Sequence, residues 1–123
     1  MSKEIEALTQ FLGAINNQDV NTAIKFFTAD AVYHNMPLEP VEGPQAIRAA
    51  MERFLKPATE VDWQVLNIAQ VGDRVLTERI DRFKIVNKWV ELPVMGTFDF
   101  RDGKIKAWRD YFDLATWTKQ MQA

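Results

Sequence analysis

The sequence of 123 residues lacks cysteine and contains a single histidine, His34, and a single serine, Ser2. The absence of cysteine excludes disulfides, thiolate metal sites and thiol nucleophiles. Ser2 stands at the N-terminus and no Gly-x-Ser-x-Gly sequence occurs, which argues against catalysis by a serine nucleophile. A lone histidine is more often a surface or structural residue than a catalytic one.

Metal and cofactor motifs are also missing. The carboxylates form no cluster with the spacing of metal ligands, and no glycine-rich loop could cradle phosphates. We therefore predict that the protein uses neither a metal nor a cofactor.

Long apolar runs and an excess of basic charge are absent as well. No stretch approaches the ~20 apolar residues of a membrane span, and residues 1–20 lack the apolar run of a signal peptide. The formal net charge is −2, with scattered Lys and Arg, which disfavours nucleic-acid or membrane partners. Composition and length predict one globular domain, residues 1–123, and the missing cysteine fits a cytoplasmic location.

The N-terminal half has helical periodicity. Apolar residues from Ile5 to Ile15 recur at helical spacing and predict a first helix. Asp19 is expected to cap a short second helix that runs through Phe27. A third helix follows Pro44, which suits a first helical turn.

Between the second and third helices the pattern changes. Residues 31–36 indicate a short strand. Residues 37–43 predict an extended loop, because Pro37 and Pro40 fix φ and each remove a backbone donor.

After Pro57 the periodicity changes to two, which is typical of strands. Short turns separate the strands predicted at 60–71, 74–86, 89–100 and 104–113. Short connections make neighbouring strands antiparallel, and Asp113 is expected to cap a final helix through Met121. Helices followed by a sheet predict an α+β domain.

Alternation along the last strand places Asp110 on the same face as Trp108 and Phe112. An unpaired charge in such company is costly, so Asp110 requires a partner or a chemical role. Arg79 and Asp81 share a face of the strand 74–86 and are the candidate partners. The sequence therefore points to chemistry by a carboxylate pair, Asp81 and Asp110, beside one arginine.

The strand 89–100 has a nearly apolar face that includes Gly96. A glycine within a strand suggests a bend or bulge that would curve the sheet around a cavity. Helices packed against such a sheet predict a cone with an open mouth, where a small ligand could bind.

Three motifs together resemble the limonene-1,2-epoxide hydrolase family. They are Tyr33-x-Asn35-Met36-Pro37-Leu38-x-Pro40, Thr77-Glu78-Arg79-Ile80-Asp81, and Gly103-Lys104-Ile105 with Trp108-Arg109-Asp110-Tyr111-Phe112-Asp113-Leu114. The resemblance implies a SnoaL-like, nuclear-transport-factor-like cone: a curved mixed β-sheet with N-terminal helices packed on its concave side. It also implies a homodimer formed through the sheet.

The resemblance also implies roles for five residues in the hydrolysis of an apolar epoxide to a vicinal diol. Asp110 would be the general base for a water that Tyr33 and Asn35 also hold. Asp81 would be the general acid that protonates the epoxide oxygen, and Arg79 would orient both carboxyls. The substrate would contact an apolar wall formed by Leu12, Ile15, Phe54, Phe83, Leu92, Val94, Phe112 and Trp117.

Other readings of the same residues stay open. Arg79 and Asp81 could be a structural ion pair, and Tyr33 and Asn35 could be loop anchors. The same fold could serve a ketosteroid-isomerase-like or polyketide-cyclase-like enzyme that uses Asp110 to move a proton next to a ketone. It could also be a non-catalytic domain that binds a small molecule.

Overall fold

The structure, a computed structural model, describes residues 2–122. Its elements in chain order are α1 (Lys3–Asn16), α2 (Val20–Ala23), a 3-10 turn (Ile24–Phe26), β1 (Phe27–Asn35), β2 (Val41–Glu42), α3 (Pro44–Leu55), β3 (Glu60–Val71), β4 (Arg74–Ile85), β5 (Lys88–Arg101), β6 (Lys104–Tyr111) and α4 (Leu114–Gln122).

The strands form one curved sheet that is not closed, in the order β2-β1-β6-β5-β4-β3. β3 to β6 form an antiparallel meander, whereas β1 runs parallel to β6. The sheet is therefore mixed, and the predicted α+β class with a curved mixed sheet and N-terminal helices is confirmed.

The first helix begins where the sequence predicts. Ser2 Oγ accepts a hydrogen bond from the Ile5 backbone N–H at 3.0 Å, which satisfies one free donor of the first turn. The apolar stripe of α1 is buried, and Phe11 packs edge-on against Trp108 of β6 at 5.2 Å between ring centroids. This contact fixes α1 on the face of the sheet that also carries Asp110.

Two predicted boundaries in the N-terminal half are wrong. The second helix ends before Phe27, and β1 begins there instead of at residue 31. Phe27 pairs with Ile105 of β6 and is buried against Phe11, so tertiary packing overrides the local helical pattern. The predicted loop 37–43 also contains β2, because Val41 pairs with Tyr33 of β1.

The last predicted strand is two residues too long. β6 ends at Tyr111, and Asp113 caps α4 by accepting hydrogen bonds from Thr116 Oγ1 at 2.9 Å and from the Ala115 N–H at 3.3 Å. The capping role predicted for Asp113 is confirmed. Phe112 consequently lies in the connection between β6 and α4.

The strand has no β-bulge at Gly96, so that alternative of the prediction is wrong. The ladder between β4 and β5 is continuous from Arg74 to Ile85, and that between β5 and β6 is regular on both sides of Gly96. The β5–β6 register shifts only at Asp99 and Phe100. Gly96 therefore serves a need other than backbone irregularity.

Within residues 2–122, every helix is too short or too polar to cross a bilayer.

Candidate active site

A cavity of about 530 Å³ opens between the helices and the face of the sheet on which they pack. Its wall is mostly apolar. The lining residues are Tyr33, Asn35, Leu38, Glu39, Val41, Ala50, Arg53, Phe54, Trp63, Asp81, Phe83, Leu92, Val94, Asp110, Phe112, Leu114 and Trp117. Two carboxylates in such an apolar wall require partners.

Arg79 is that partner for both carboxylates. Its side chain is fully buried, and Asp81 and Asp110 are each only 3% exposed. Arg79 Nε and Nη2 donate to the two oxygens of Asp81 at 2.9 and 3.0 Å. Nη2 also donates to Asp110 Oδ2 at 2.9 Å. The structure therefore joins all three predicted residues in one buried hydrogen-bonded group with a single cation.

The third nitrogen of the guanidinium is bound by Thr77. Arg79 Nη1 donates to Thr77 Oγ1 at 2.9 Å, and that hydroxyl donates to the Gly96 carbonyl at 3.1 Å. The guanidinium also lies over the Trp63 ring, 4.9 Å from its centroid, where a cation–π contact is favourable. These contacts fix the guanidinium plane between the two carboxylates.

Asp110 has a second donor in Trp108. The indole Nε1–H donates to Asp110 Oδ1 at 2.8 Å, so each oxygen of this carboxylate accepts one buried hydrogen bond. Both residues lie on the inward face of β6, as alternation predicts. Trp108 is therefore a core residue that is also a polar partner of Asp110.

Tyr33 and Asn35 lie beside this group. The parallel pairing of β1 and β6 aligns Tyr33 with Trp108 and Asn35 with Asp110. The Tyr33 ring stacks on Trp108 at 3.9 Å between centroids, and its hydroxyl donates to Asn35 Oδ1 at 3.1 Å. All five residues that the resemblance nominates thus converge at one end of the cavity.

Burial and charge shape the protonation of the site. Burial raises the pKa of Asp81 to about 6, although Arg79 opposes the shift. Burial works against the charge on Arg79, but Asp110 and Asp81 outweigh it and raise the pKa of the guanidinium above its usual value. Burial and the charge of Asp110 raise the pKa of the Tyr33 hydroxyl. Arg79 therefore stays charged and Tyr33 stays a donor, while Asp81 can hold a proton.

Six of the eight predicted wall residues line the cavity, namely Phe54, Phe83, Leu92, Val94, Phe112 and Trp117. The prediction for Leu12 and Ile15 is wrong, because both lie on the buried face of α1 in the core and neither lines the cavity. Their helical spacing could not distinguish a side chain that packs against the sheet from one that faces an open space. His34 lies on the opposite face of β1 from Tyr33, with Nε2 3.0 Å from the Leu38 carbonyl oxygen.

Sequence reasoning missed three polar or aromatic contributors. They are Thr77 and Trp63, which contact Arg79, and Trp108, which donates to Asp110. Alternation is a usable signal for them, since Trp63 pairs with Asp81 across β3 and β4. Their contacts depend on rotamers, which alternation does not report.

The described part of the chain offers no group of three or more His, Asp or Glu side chains arranged to hold a metal ion. The chemically capable groups gathered around Arg79 are two carboxyls, its own guanidinium, one phenol and one amide. Such a set can accept a proton at one carboxyl and donate one from the other.

Comparison with known proteins shows the family of this chain. The family model for the limonene-1,2-epoxide hydrolase catalytic domain matches residues 2–123. The epoxide hydrolase EphG of Mycobacterium tuberculosis is 33% identical over 108 residues, which cover 88% of this chain and 72% of EphG.

Two solved structures have folds similar to that of this chain. A structure of an M. tuberculosis LEH-like epoxide hydrolase superposes with a TM-score of 0.84 at 31% identity, covering 98% of this chain and 90% of the other. A SnoaL-like polyketide cyclase from Shewanella putrefaciens has a TM-score of 0.88 at 18% identity, covering 99% and 98%. The second likeness shows the shared fold alone. From the family model and the identity to EphG, this chain is a member of the limonene-1,2-epoxide hydrolase family.

Proposed function

We propose that this protein is an epoxide hydrolase that adds water to an apolar epoxide and releases a vicinal diol, in one step and without a cofactor. The observation that carries the proposal is the pair of buried carboxylates, Asp81 and Asp110, that share the guanidinium of Arg79. Family membership and the relatives that are epoxide hydrolases support the reaction class.

Asp110 is the proposed general base. Arg79 and Trp108 each donate to one of its oxygens and fix its orientation, and the carboxylate lines the cavity. A water between Asp110, Tyr33 and Asn35 would give up a proton to Asp110 as its oxygen attacks an epoxide carbon. Water is a weak nucleophile, so a base within hydrogen-bond reach is required.

Asp81 is the proposed general acid. Its pKa of about 6 leaves part of the population protonated near neutral pH, which an ordinary aspartate does not offer. Protonation of the epoxide oxygen as the carbon–oxygen bond breaks avoids a free alkoxide. One cation shared by two buried carboxyls favours one negative charge and disfavours a second, which keeps an acid and a base together.

The two proton transfers balance within a turnover. Asp110 gains the proton of the attacking water and Asp81 gives its proton to the epoxide oxygen, so a proton must then pass from Asp110 to Asp81 or exchange with solvent. General acid–base assistance contributes about 10²–10⁴-fold per group. The geometry parallels inverting glycosidases, in which two carboxyls flank substrate and water.

The proposed substrate is an apolar epoxide that is terpene-like, cyclic or bulkier. The cavity volume of about 530 Å³ falls within the range of sites that enclose small organic ligands. Aromatic and aliphatic side chains such as Phe54, Phe83 and Leu92 would exclude water from the substrate. The carboxyls of Asp81 and Asp110 would face its epoxide ring.

The protein is proposed to act as a homodimer through the face of the sheet that is opposite the helices. Met95 of β5 and Tyr111 of β6 pair with each other on that face and are 51% and 47% exposed. Large apolar side chains adjacent on an exposed sheet face are typical of protein interfaces.

The proposed reaction can be tested with limonene oxide, cyclohexene oxide and bulkier epoxides in ¹⁸O-labelled water. Under single-turnover conditions with excess enzyme, direct attack by water places ¹⁸O in the first diol molecules. A covalent ester intermediate would instead deliver unlabelled carboxylate oxygen. Absence of any diol across the panel would overturn the proposal.

A variant pair tests the assigned base. Asp110→Asn is expected to lower kcat by about 10²–10⁴-fold because it removes the proton acceptor. Asp62→Asn is the matched control, since Asp62 is a half-buried carboxylate of β3 that pairs with Arg82 and does not line the cavity. Equal turnover by Asp110→Asn and the native enzyme would exclude Asp110 as the base.

A further inference from the structure

Arg79 and Asp110 meet although their strands are not neighbours. β5 separates β4 from β6, and two strand spacings amount to about 9–10 Å. The guanidinium nevertheless lies 2.9 Å from the Asp110 carboxylate. The two side chains meet above β5, at the position where Thr77, Gly96 and Asp110 are paired across the three strands.

Gly96 leaves this position free of side-chain atoms. A Cβ atom at residue 96 would overlap both Arg79 Nη1 and Asp110 Oδ1, and it would lie 3.2 Å from Thr77 Oγ1. Three polar groups of the site therefore surround the space that any larger residue would fill.

The need for glycine is spatial and not conformational. Gly96 lies outside the set of glycines with positive φ, which are Gly43, Gly72 and Gly103. Its ladder to both neighbouring strands is regular. The adjacent inward residues of β5, Val94 and Phe98, carry buried side chains. The backbone at residue 96 would thus accept a side chain if the Arg79–Asp110 bridge did not occupy the space.

We propose that Gly96 is a positioning residue of the reaction, because its missing side chain lets Arg79 cross β5 and join Asp110 to Asp81. The inference rests on the proposed function of these two carboxyls. Gly96 acts through Arg79 and makes no proposed contact with the substrate.

Gly96→Ala is expected to break the bridge without breaking the sheet. The added methyl group meets the ends of two side chains instead of backbone atoms. Arg79 is expected to keep its two hydrogen bonds to Asp81 on the same strand and to lose the one to Asp110. Without this hydrogen bond Asp110 is misplaced relative to Arg79, and a misplacement of about 1 Å costs about 100-fold in kcat. KM is expected to stay nearly constant because the apolar wall is unchanged.

The pH profile separates positioning from a general structural effect. The charged or titratable groups around Asp81 are Arg79 on β4, Asp110 on β6 and Tyr33 on β1, with Glu39 and Arg53 exposed at the cavity mouth. In Gly96→Ala, Asp81 has the guanidinium to itself and Asp110 is displaced. Both changes lower the pKa of Asp81, so the alkaline limb of kcat/KM is expected to move to lower pH.

A second measurement needs no substrate. Urea unfolding is compared for the native protein, Gly96→Ala, Asp110→Ala and the double variant. Removal of the Asp110 side chain frees space for the new methyl group and releases Arg79. The loss in urea midpoint caused by Gly96→Ala is therefore expected to shrink in the Asp110→Ala background.

Gly13→Ala is the matched control. Gly13 lies in α1, and a Cβ there has no neighbour within 4 Å, so full activity and an equal or higher urea midpoint are expected. If Gly96→Ala alone does not fold, a folded double variant supports the inference and an unfolded one overturns it.

Two results overturn the inference outright. One is a Gly96→Ala variant with native kcat and an unchanged alkaline limb of kcat/KM. The other is an equal loss of urea midpoint when Gly96→Ala is introduced into the native protein and into Asp110→Ala. Failure of the proposed function is a different result. It leaves every epoxide unhydrolysed by the native protein and leaves the urea comparison interpretable.

Discussion

The indole N–H of Trp108 donates to Asp110 Oδ1 at 2.8 Å, and the two residues stand two positions apart on one strand. Trp108 is fully buried and Asp110 is 3% exposed, so this hydrogen bond is shielded from bulk solvent. The indole thus holds one oxygen of the proposed base in place.

Trp108→Phe removes that donor while keeping an aromatic ring. A hydrogen bond to a charged group is worth about 1.5–3 kcal/mol, so kcat/KM is expected to fall about 10- to 100-fold. Some loss of stability accompanies it, because the smaller ring leaves space in the core. Steady-state kinetics on a reactive epoxide check the result.

Trp89→Phe is the control for the same chemical change. Trp89 stacks on Arg82 outside the cavity, so its variant is expected to retain native activity. Unchanged kcat/KM in Trp108→Phe would contradict a role for the indole N–H in positioning Asp110.

The pKa of Asp81 predicts how stability depends on pH. An unfolded aspartate releases its proton near pH 4, whereas burial holds the proton of folded Asp81 until about pH 6. The folded state therefore binds more protons in this window. The stabilising contribution is fully present below about pH 4 and is lost as pH rises through about 6.

Asp81→Asn removes this titration. Relative to the native protein, the free energy of unfolding of Asp81→Asn is expected to increase as the pH is raised from 4 to 7. Urea unfolding at several pH values measures the difference. Asp62→Asn, at a half-buried site outside the cavity, supplies the control. A difference between Asp81→Asn and native protein that is independent of pH would contradict a raised pKa.

Gln120 attaches α4 to the sheet and thereby holds one wall of the cavity. Its side-chain amide accepts from the Glu91 N–H at 2.9 Å and donates to the Glu91 carbonyl at 2.7 Å, as a neighbouring strand would. α4 also carries Leu114 and Trp117, which line the cavity. Gln120→Ala is expected to raise KM several-fold with a smaller effect on kcat, because the acid and base lie on other elements.

Gln122→Ala is the control. Gln122 lies two residues further along the same helix, and its variant should leave KM unchanged. Initial rates over a range of substrate concentration separate the two constants. A fall in kcat with constant KM in Gln120→Ala would show that α4 affects the reacting groups instead of the wall.

The proposed dimer face gives a prediction about assembly. Met95→Glu places a charge among apolar side chains, which is costly at an interface, and it is expected to yield a monomer. Val86→Glu is the control, since Val86 is exposed in the turn between β4 and β5. Light scattering after size exclusion measures the mass. A monomeric native protein, or a dimeric Met95→Glu variant, would contradict this interface.

Much of the site could be predicted because strands alternate. Alternation predicts that Arg79 and Asp81 share one face of β4. It also predicts that Asp110 shares one face of β6 with Trp108. The parallel pairing of β1 with β6 could not be derived in the same way. It joins segments far apart in the chain, and no local turn reports it.

The errors have a common physical origin. The local pattern predicts a helix at Phe27, but its burial against Phe11 decides in favour of a strand. A glycine within a strand suggests a bulge, but at Gly96 the absent side chain leaves space that Arg79 and Asp110 occupy. Both outcomes depend on neighbours that come from distant parts of the sequence.

The parallel alignment of Tyr33 with Trp108 and of Asn35 with Asp110 has a consequence for folding. β1 is synthesised before β6, but it cannot complete the site until β6 has joined the sheet. Pairing of such distant segments pays a large loop-closure entropy and slows folding. Epoxide hydrolysis during refolding should therefore appear only with the last cooperative phase, after the β3–β4 hairpin, whose contacts are local, has formed.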